Sequence, residues 1–68
     1  MTIGENVRLP LREHTNLDEK TMDIMVRMKL EVVNLGGFEG LMPSELSGGM
    51  IKRAAVARAI IMLSLIHI

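Results

Sequence analysis

The chain has no cysteine, no tryptophan, no tyrosine and one aromatic residue, Phe38, in 68 positions. Without cysteine, neither a disulfide framework nor a thiolate metal site can supplement a small core. A chain this short sits near the lower limit for one stable hydrophobic core and is small for an enzyme domain. Net charge is also absent, since eight Lys and Arg balance eight Asp and Glu. Met1-Thr2-Ile3-Gly4-Glu5 lacks the basic and apolar stretches of a signal peptide. The apolar run from Ala59 to Ile68, about ten residues, is too short to span a bilayer. These two absences give the expectation of a cytosolic protein.

What is present is aliphatic. Hydrophobic residues make up 49% of the chain and include seven methionines. Such side chains suit helix packing or a partner groove better than a rigid sandwich, and the content is too apolar for a disordered segment. The charge is unevenly placed. Every acidic residue lies at or before Glu45, and Lys52, Arg53 and Arg58 follow with no acid among them. On charge alone, that stretch reads either as a solvated basic face or as a surface for phosphate or an acidic partner. Three basic residues without interleaved aromatics do not make a nucleic-acid interface.

Periodicity predicts helices and no strands, so the expected class is all-α. Residues 2–11 form a brief helix or turn, with Pro10 discouraging a longer one. Arg12 to Thr15 reads as a connector. Asn16 is the expected cap of the next helix, with Glu19 at its third position. Thr21, Met25, Met28, Val32 and Leu35 follow helical spacing, with Leu17, Ile24 and Met28 on the adjoining edge. Met22, Val26 and Val33 make the other side apolar too, so this helix is clasped between neighbours or lacks a partner. Asp23–Arg27 and Arg27–Glu31 are spaced as ion pairs on its outer face. Gly36-Gly37 is the expected stop. Phe38 to Met42 allow one short turn, Pro43-Ser44-Glu45 breaks again, and an alanine-rich helix runs from Met50 to about Met62.

Leu46-Ser47-Gly48-Gly49-Met50 carries the chemistry. Ser47 is a good N-cap, and the two glycines leave backbone N–H groups uncovered at a helix start. A phosphate can approach closely there and meet the positive end of the helix dipole. Taken alone, Ser-Gly-Gly before a helix is more often a flexible cap. The stretch from Pro43 to Ile60, with Lys52-Arg53 and Ala57-Arg58-Ala59, resembles the signature segment and following helix of ABC ATPases, whose usual form is Leu-Ser-Gly-Gly-Gln. Met50 departs from that glutamine. Together with Asn6-Val7, Pro10 to Thr15 and Leu41 to Glu45, it resembles the Mla-type branch, the ATP-binding subunits of bacterial phospholipid transporters.

The resemblance implies a partial ABC ATPase domain over residues 1–62, with a helical subdomain at 16–46 and a signature helix at 47–62. The parent domain would be an α/β P-loop NTPase. Ser47, Gly48, Gly49 and Met50 would meet the γ-phosphate of ATP bound by a second subunit, in a homodimer. Membrane permease subunits would be the other partners, and the complex would sit on the cytoplasmic side of the inner membrane. Loss of the glutamine puts a side-chain contact at Met50 in doubt. Arg53 and Arg58 are expected in structural ion pairs, and His14 as a surface or packing residue. Within these residues there is no Gly-x-x-x-x-Gly-Lys-Ser/Thr loop, no Asp-Glu strand for magnesium and water, and no other metal site, so this stretch alone is not expected to hydrolyse ATP. An ABC subunit for another substrate and a free-standing helical interaction protein are the alternatives.

Met1 is expected to be an internal methionine. Leu63-Ser64-Leu65-Ile66-His67-Ile68 is the translation of CTGTCTCTTATACACATC, a transposon end used in sequencing adapters, so residues 63–68 are expected to be a non-native tail. A native apolar terminus packed on the helices is the alternative, and the coding DNA distinguishes the two.

Overall fold

The computed structural model describes residues 1–65. Three α-helices, α1 (Ile3–His14), α2 (Glu19–Val32) and α3 (Gly48–Leu65), are joined by loops, with a 3-10 turn at Pro43–Glu45 before α3. No strand occurs among the described residues, which agrees with the all-α expectation. All three helices contact one another around a core of Ile3, Val7, Leu11, Met22, Val26, Leu30, Val33, Leu35, Ala57 and Ile61.

α1 is longer than expected, because the helix continues through Pro10 for four more residues. A proline inside a helix costs about 3 kcal/mol. Ile3, Val7 and Leu11 are all buried on one face, and full burial of each such side chain stabilises by about 1.5–3 kcal/mol. Burial therefore outweighs the proline. The start of α1 is held by a reciprocal capping box: Glu5 N–H donates to Thr2 Oγ1 at 3.1 Å, and Thr2 N–H donates to Glu5 Oε1 at 2.6 Å. The Thr2 backbone hydrogen bond, followed by that of its side chain, holds the Glu5 carboxyl below its ordinary pKa. Thr-x-x-Glu is the sequence signature of this device, which the reading of residues 2–11 as a brief helix or turn missed. At the far end, the Thr15 N–H and hydroxyl both donate to the Leu11 carbonyl.

α2 departs from the sequence reading at both ends and in its buried face. Its cap is Asp18 rather than Asn16, so Glu19 is the first helical residue and not the third. Asp18 Oδ1 accepts from Thr21 N–H at 2.9 Å. Hydrogen bonds from the Thr21 side chain and then its backbone lower the Asp18 pKa. From its position Glu19 pairs with Arg8 and Arg12 of α1, at 2.9 and 3.1 Å. Asp23 also pairs with Arg8, not with Arg27. The expected Arg27–Glu31 pair is not formed among the described residues either. These contacts are solvent-exposed on the acidic side, which limits their contribution to stability.

The buried face of α2 is Met22, Val26 and Leu30. Of the stripe first read as apolar, Met28 and Val32 are 58% and 68% exposed, and Ile24 on its adjoining edge is 48% exposed; Met25 packs against the core, and Leu35, beyond the helix, is buried in it. The salt bridges to α1 and the packing of α3 turn the Met22–Val26 side inward.

α2 stops at Asn34, not at Gly36-Gly37. Asn34 has φ 63°, Leu35 N–H donates to the Leu30 carbonyl at 2.7 Å, and Asn34 N–H donates to that of Glu31 at 3.0 Å. This is a Schellman motif with asparagine at the left-handed position, and its customary apolar contact is supplied by buried Leu30 and Leu35. Replacing Asn34 with glycine should therefore raise stability slightly, whereas valine there should cost about 1–2 kcal/mol. Thermal melts of the two variants against the parent chain check this; a valine variant as stable as the parent would remove the motif's role.

α3 begins at Gly48, two residues before the Met50 start read for its alanine-rich run, and ends later, running into Leu65. Its inward stripe is Met50, Ala54, Ala57, Ile61 and Leu65, each either buried or packed against the core. Those spacings of three and four residues are one helical face. Leu63, Ser64 and Leu65 of the expected tail thus continue α3, while residues 66–68 lie outside the described residues.

Candidate functional site

The chain approaches α3 through a tight hydrogen-bonded turn. Met42 N–H donates to Glu45 Oε1 at 2.8 Å, Glu45 N–H to the Met42 carbonyl at 2.9 Å, and Leu46 N–H to the Pro43 carbonyl at 3.1 Å. Leu46 is extended, at φ −112° and ψ 154°, and leads directly into the helix start. Upstream, the Glu39 and Leu41 carbonyls accept from the N–H groups of Gly4 and Ile3, both at 2.9 Å. The loop before the motif is therefore tied to the first turn of α1. Gly4 permits that approach, because a Cβ there would lie 3.0 Å from the Glu39 carbonyl oxygen.

Ser47 caps α3 as expected. Its Oγ accepts from Met50 N–H at 3.2 Å, and its carbonyl accepts from Ile51 N–H at 3.0 Å. The hydroxyl hydrogen remains available to an outside acceptor. The Gly48 and Gly49 N–H groups have no acceptor among the described residues. Ser47, Gly48 and Gly49 are all exposed, whereas Leu46 and Met50 on either side are half-buried.

The two glycines are not needed for packing or for backbone shape. A Cβ at Gly48 would meet nothing within 4 Å, and one at Gly49 would meet only Ser47 Oγ, at 4.0 Å. Neither has a positive φ. Each costs roughly 0.8–1 kcal/mol of helix stability relative to alanine. Nothing inside the chain offsets that cost, so the space in front of them suits a ligand or backbone arriving from outside. Uncovered N–H groups, a hydroxyl and the positive end of an 18-residue helix are the donors that one side of an anion site would need.

The basic residues of α3 separate into two kinds. Lys52 and Arg53 are exposed one turn beyond the cap and form no ion pair among the described residues. For Arg53 this differs from the expected structural pair. Arg58 is structural, but through an amide: its guanidinium donates to Asn6 Oδ1 at 3.2 Å, joining α3 to α1. The residue type at position 6 gave no sign of this contact, which depends on the α1–α3 packing. His14 is exposed at the end of α1, as expected. No group of acidic residues, histidine or cysteine suited to a metal occurs among the described residues, and no described helix is long and apolar enough to cross a membrane.

No family model matches the chain. Curated proteins do. The chain is 61% identical over 56 residues to the intermembrane phospholipid transport system ATP-binding protein MlaF of Haemophilus influenzae, an alignment covering 82% of this chain and 21% of that protein. It is 58% identical over 60 residues to the MlaF of Escherichia coli K12, covering 88% and 22%. A protein of Mycobacterium leprae named "probable ribonucleotide transport ATP-binding protein mkl" is 47% identical over 62 residues, covering 91% and 18%. The chain thus spans about a fifth of the length of these relatives. Over most of its own length it is homologous to ATP-binding subunits of transport systems, with the MlaF proteins at the higher identity.

Proposed function

We propose that this chain is a segment of the ATP-binding subunit of an ABC transporter that moves phospholipid between bacterial membranes, and that it supplies the surface closing over ATP bound by a second subunit. The observation that carries the reading is the start of α3. Its two glycines are exposed, have free N–H groups and have open space where side chains would stand. The donor set fits a phosphate: two backbone N–H groups and the Ser47 hydroxyl, with the helix dipole behind them. In this reading Ser47, Gly48 and Gly49 donate to the γ-phosphate oxygens, and Met50 stands beside them at the third helical position.

Mg-ATP, when bound, would supply the phosphoryl group to be transferred; in this reading the phosphate loop, the magnesium ligands and the water-activating carboxylate lie outside these 68 residues. The segment's own task is positioning and charge stabilisation. Its donors become useful when the partner subunit presents the phosphate, so closure of the dimer is coupled to the presence of ATP. The relatives' name, an intermembrane phospholipid transport system ATP-binding protein, supports phospholipid as cargo; membrane permease subunits as partners and a place on the cytoplasmic side of the inner membrane are part of the same proposal. The subunit is proposed to act as a homodimer.

Mixed dimers test the action in trans. One full-length subunit carries an inactivated phosphate loop, and the other carries Ser47→Arg. Each homodimer should be inactive. A mixture should regain turnover, because one composite site then joins an intact phosphate loop to an intact Ser47–Gly49 turn. A mixture as inactive as its parents would refute action across the dimer.

A further inference from the structure

α3 is apolar on two faces, and the fold covers one of them. Met50, Ala54, Ala57, Ile61 and Leu65 meet the core. On the other side Ile51, Val56, Met62 and Leu63 are between 44% and 68% exposed, with Ala55 and Ala59 exposed among them. The sole charge from Ala54 to Leu65 is Arg58, and its guanidinium is turned aside to Asn6 of α1. A helix that is apolar all round is ordinarily buried all round. Ile51, Ala55, Ala59 and Leu63 follow one another at four-residue spacing and so form one ridge along the outer face. Beside Ile51 lies an apolar groove of about 160 Å³, bounded by Ile3, Asn6, Pro43, Ala54 and Ala55.

We propose that two copies of this chain associate through the outer face of α3, with the two α3 helices antiparallel. The face is self-complementary about a two-fold axis at the level of Ala57. Ala55 of each copy then meets the partner's Ala59, and these small side chains let the helices approach closely. Ile51 comes level with the partner's Leu63, and the partner's Met62 reaches the groove beside Ile51. An unbranched side chain suits that irregular space.

Charge favours the same orientation. Lys52 and Arg53 are exposed near the start of α3 and form no ion pair among the described residues. The last turn of α3 has no basic residue among the described residues. Antiparallel pairing brings the two basic residues of each copy beside the negative end of the other helix's dipole. A parallel pair would set Lys52 and Arg53 against their own counterparts. The chain has no net charge, so no long-range repulsion opposes the encounter. This contact is separate from the ATP-bridged dimer proposed above and does not rest on the phosphate reading of the Ser47–Gly49 turn.

Sedimentation equilibrium of the 68-residue chain tests the proposal. The mass should rise from one chain to two between micromolar and millimolar concentration and stop there, because a two-fold contact is closed. Ala55→Lys combined with Ala59→Lys sets like charges opposite each other twice and should weaken association by about a hundredfold or more. Both positions are exposed, so far-UV circular dichroism should show the helices retained. Met28→Lys, on the exposed side of α2, should leave association unchanged. Orientation is read by cross-linking, since the chain has no cysteine of its own. An oxidised equimolar mixture of Ala55→Cys and Ala59→Cys chains should give the mixed disulfide in about fivefold or greater excess over either self-disulfide.

A chain that stays monomeric up to millimolar concentration would overturn the proposal and leave this face to be covered by residues outside these 68. Open-ended assembly beyond two copies would also overturn it. Association lost with Met28→Lys and kept with the lysine pair would place the contact on α2 instead. Self-disulfides as abundant as the mixed one would refute the antiparallel order.

Discussion

Replacing Gly49 with aspartate in the full-length subunit is expected to lower ATP turnover by about 10²–10³-fold, the magnitude seen when one preorganised donor to a developing charge is lost. The same substitution should leave the fold as stable as before, or more so. A Cβ at position 49 meets nothing nearer than Ser47 Oγ at 4.0 Å, so the side chain is accepted without a clash. Aspartate in the first turn of a helix interacts favourably with the dipole, and leaving glycine removes its entropic cost. Stability and turnover should then move in opposite directions. The reason is electrostatic: a carboxylate stands where the phosphate must approach, against the N–H groups that would have received it. Steady-state turnover and thermal melting of the same preparation check both halves. A stable variant with undiminished turnover would remove the phosphate site from this turn. Gly49→Ala keeps the N–H and adds no charge, and it should fall between the two.

The start of α3 was legible in the sequence because it is made locally. A capping serine, two glycines and an alanine-rich run act within one or two turns, so Ser47 caps α3 without reference to the rest of the chain. The Thr2–Glu5 capping box is local in the same way. The orientation of α2 was not legible. Met22, Ile24, Met25, Val26, Met28, Leu30, Val32 and Val33 put apolar groups nearly all round the helix, and two stripes compete. Which one is buried depends on where α1 and α3 lie, and the choice is tied to Asp18 rather than Asn16 as the cap. Both residue types cap well. Asp18 wins where Glu19 can reach Arg8 and Arg12 while Met22 and Val26 turn inward. The helix end shows the same effect. A Gly-Gly pair is the stronger local stop, yet Leu35 must fold back onto Leu30, and that requires the reversal at Asn34.

Truncating Leu30 to alanine is expected to cost the 68-residue chain about 2–5 kcal/mol, whereas Met28→Ala should stay within about 0.5 kcal/mol of the parent. The two positions lie half a turn apart on one helix, and both side chains are large and apolar. Leu30 is fully buried and Met28 is 58% exposed. Leu30 also holds the end of the helix, because its carbonyl receives Leu35 N–H and its side chain meets Leu35 in the core. A cavity there loosens the Schellman turn and, through Leu35, the loop that leads back to α1. At roughly 0.05–0.15 kcal/mol per residue, a chain of this size has about 3–10 kcal/mol of stability in total. The Leu30 variant should therefore be largely unfolded or nearly so, while the Met28 variant gains the better helix propensity of alanine and loses little contact. Urea unfolding followed by far-UV circular dichroism gives both numbers. Comparable losses at the two positions, or a larger one at Met28, would mean that the Thr21–Met28–Val32 stripe is the buried one and that α2 is turned about its axis. The pair thus tests the orientation that the periodicity alone left open, with the helix itself held constant.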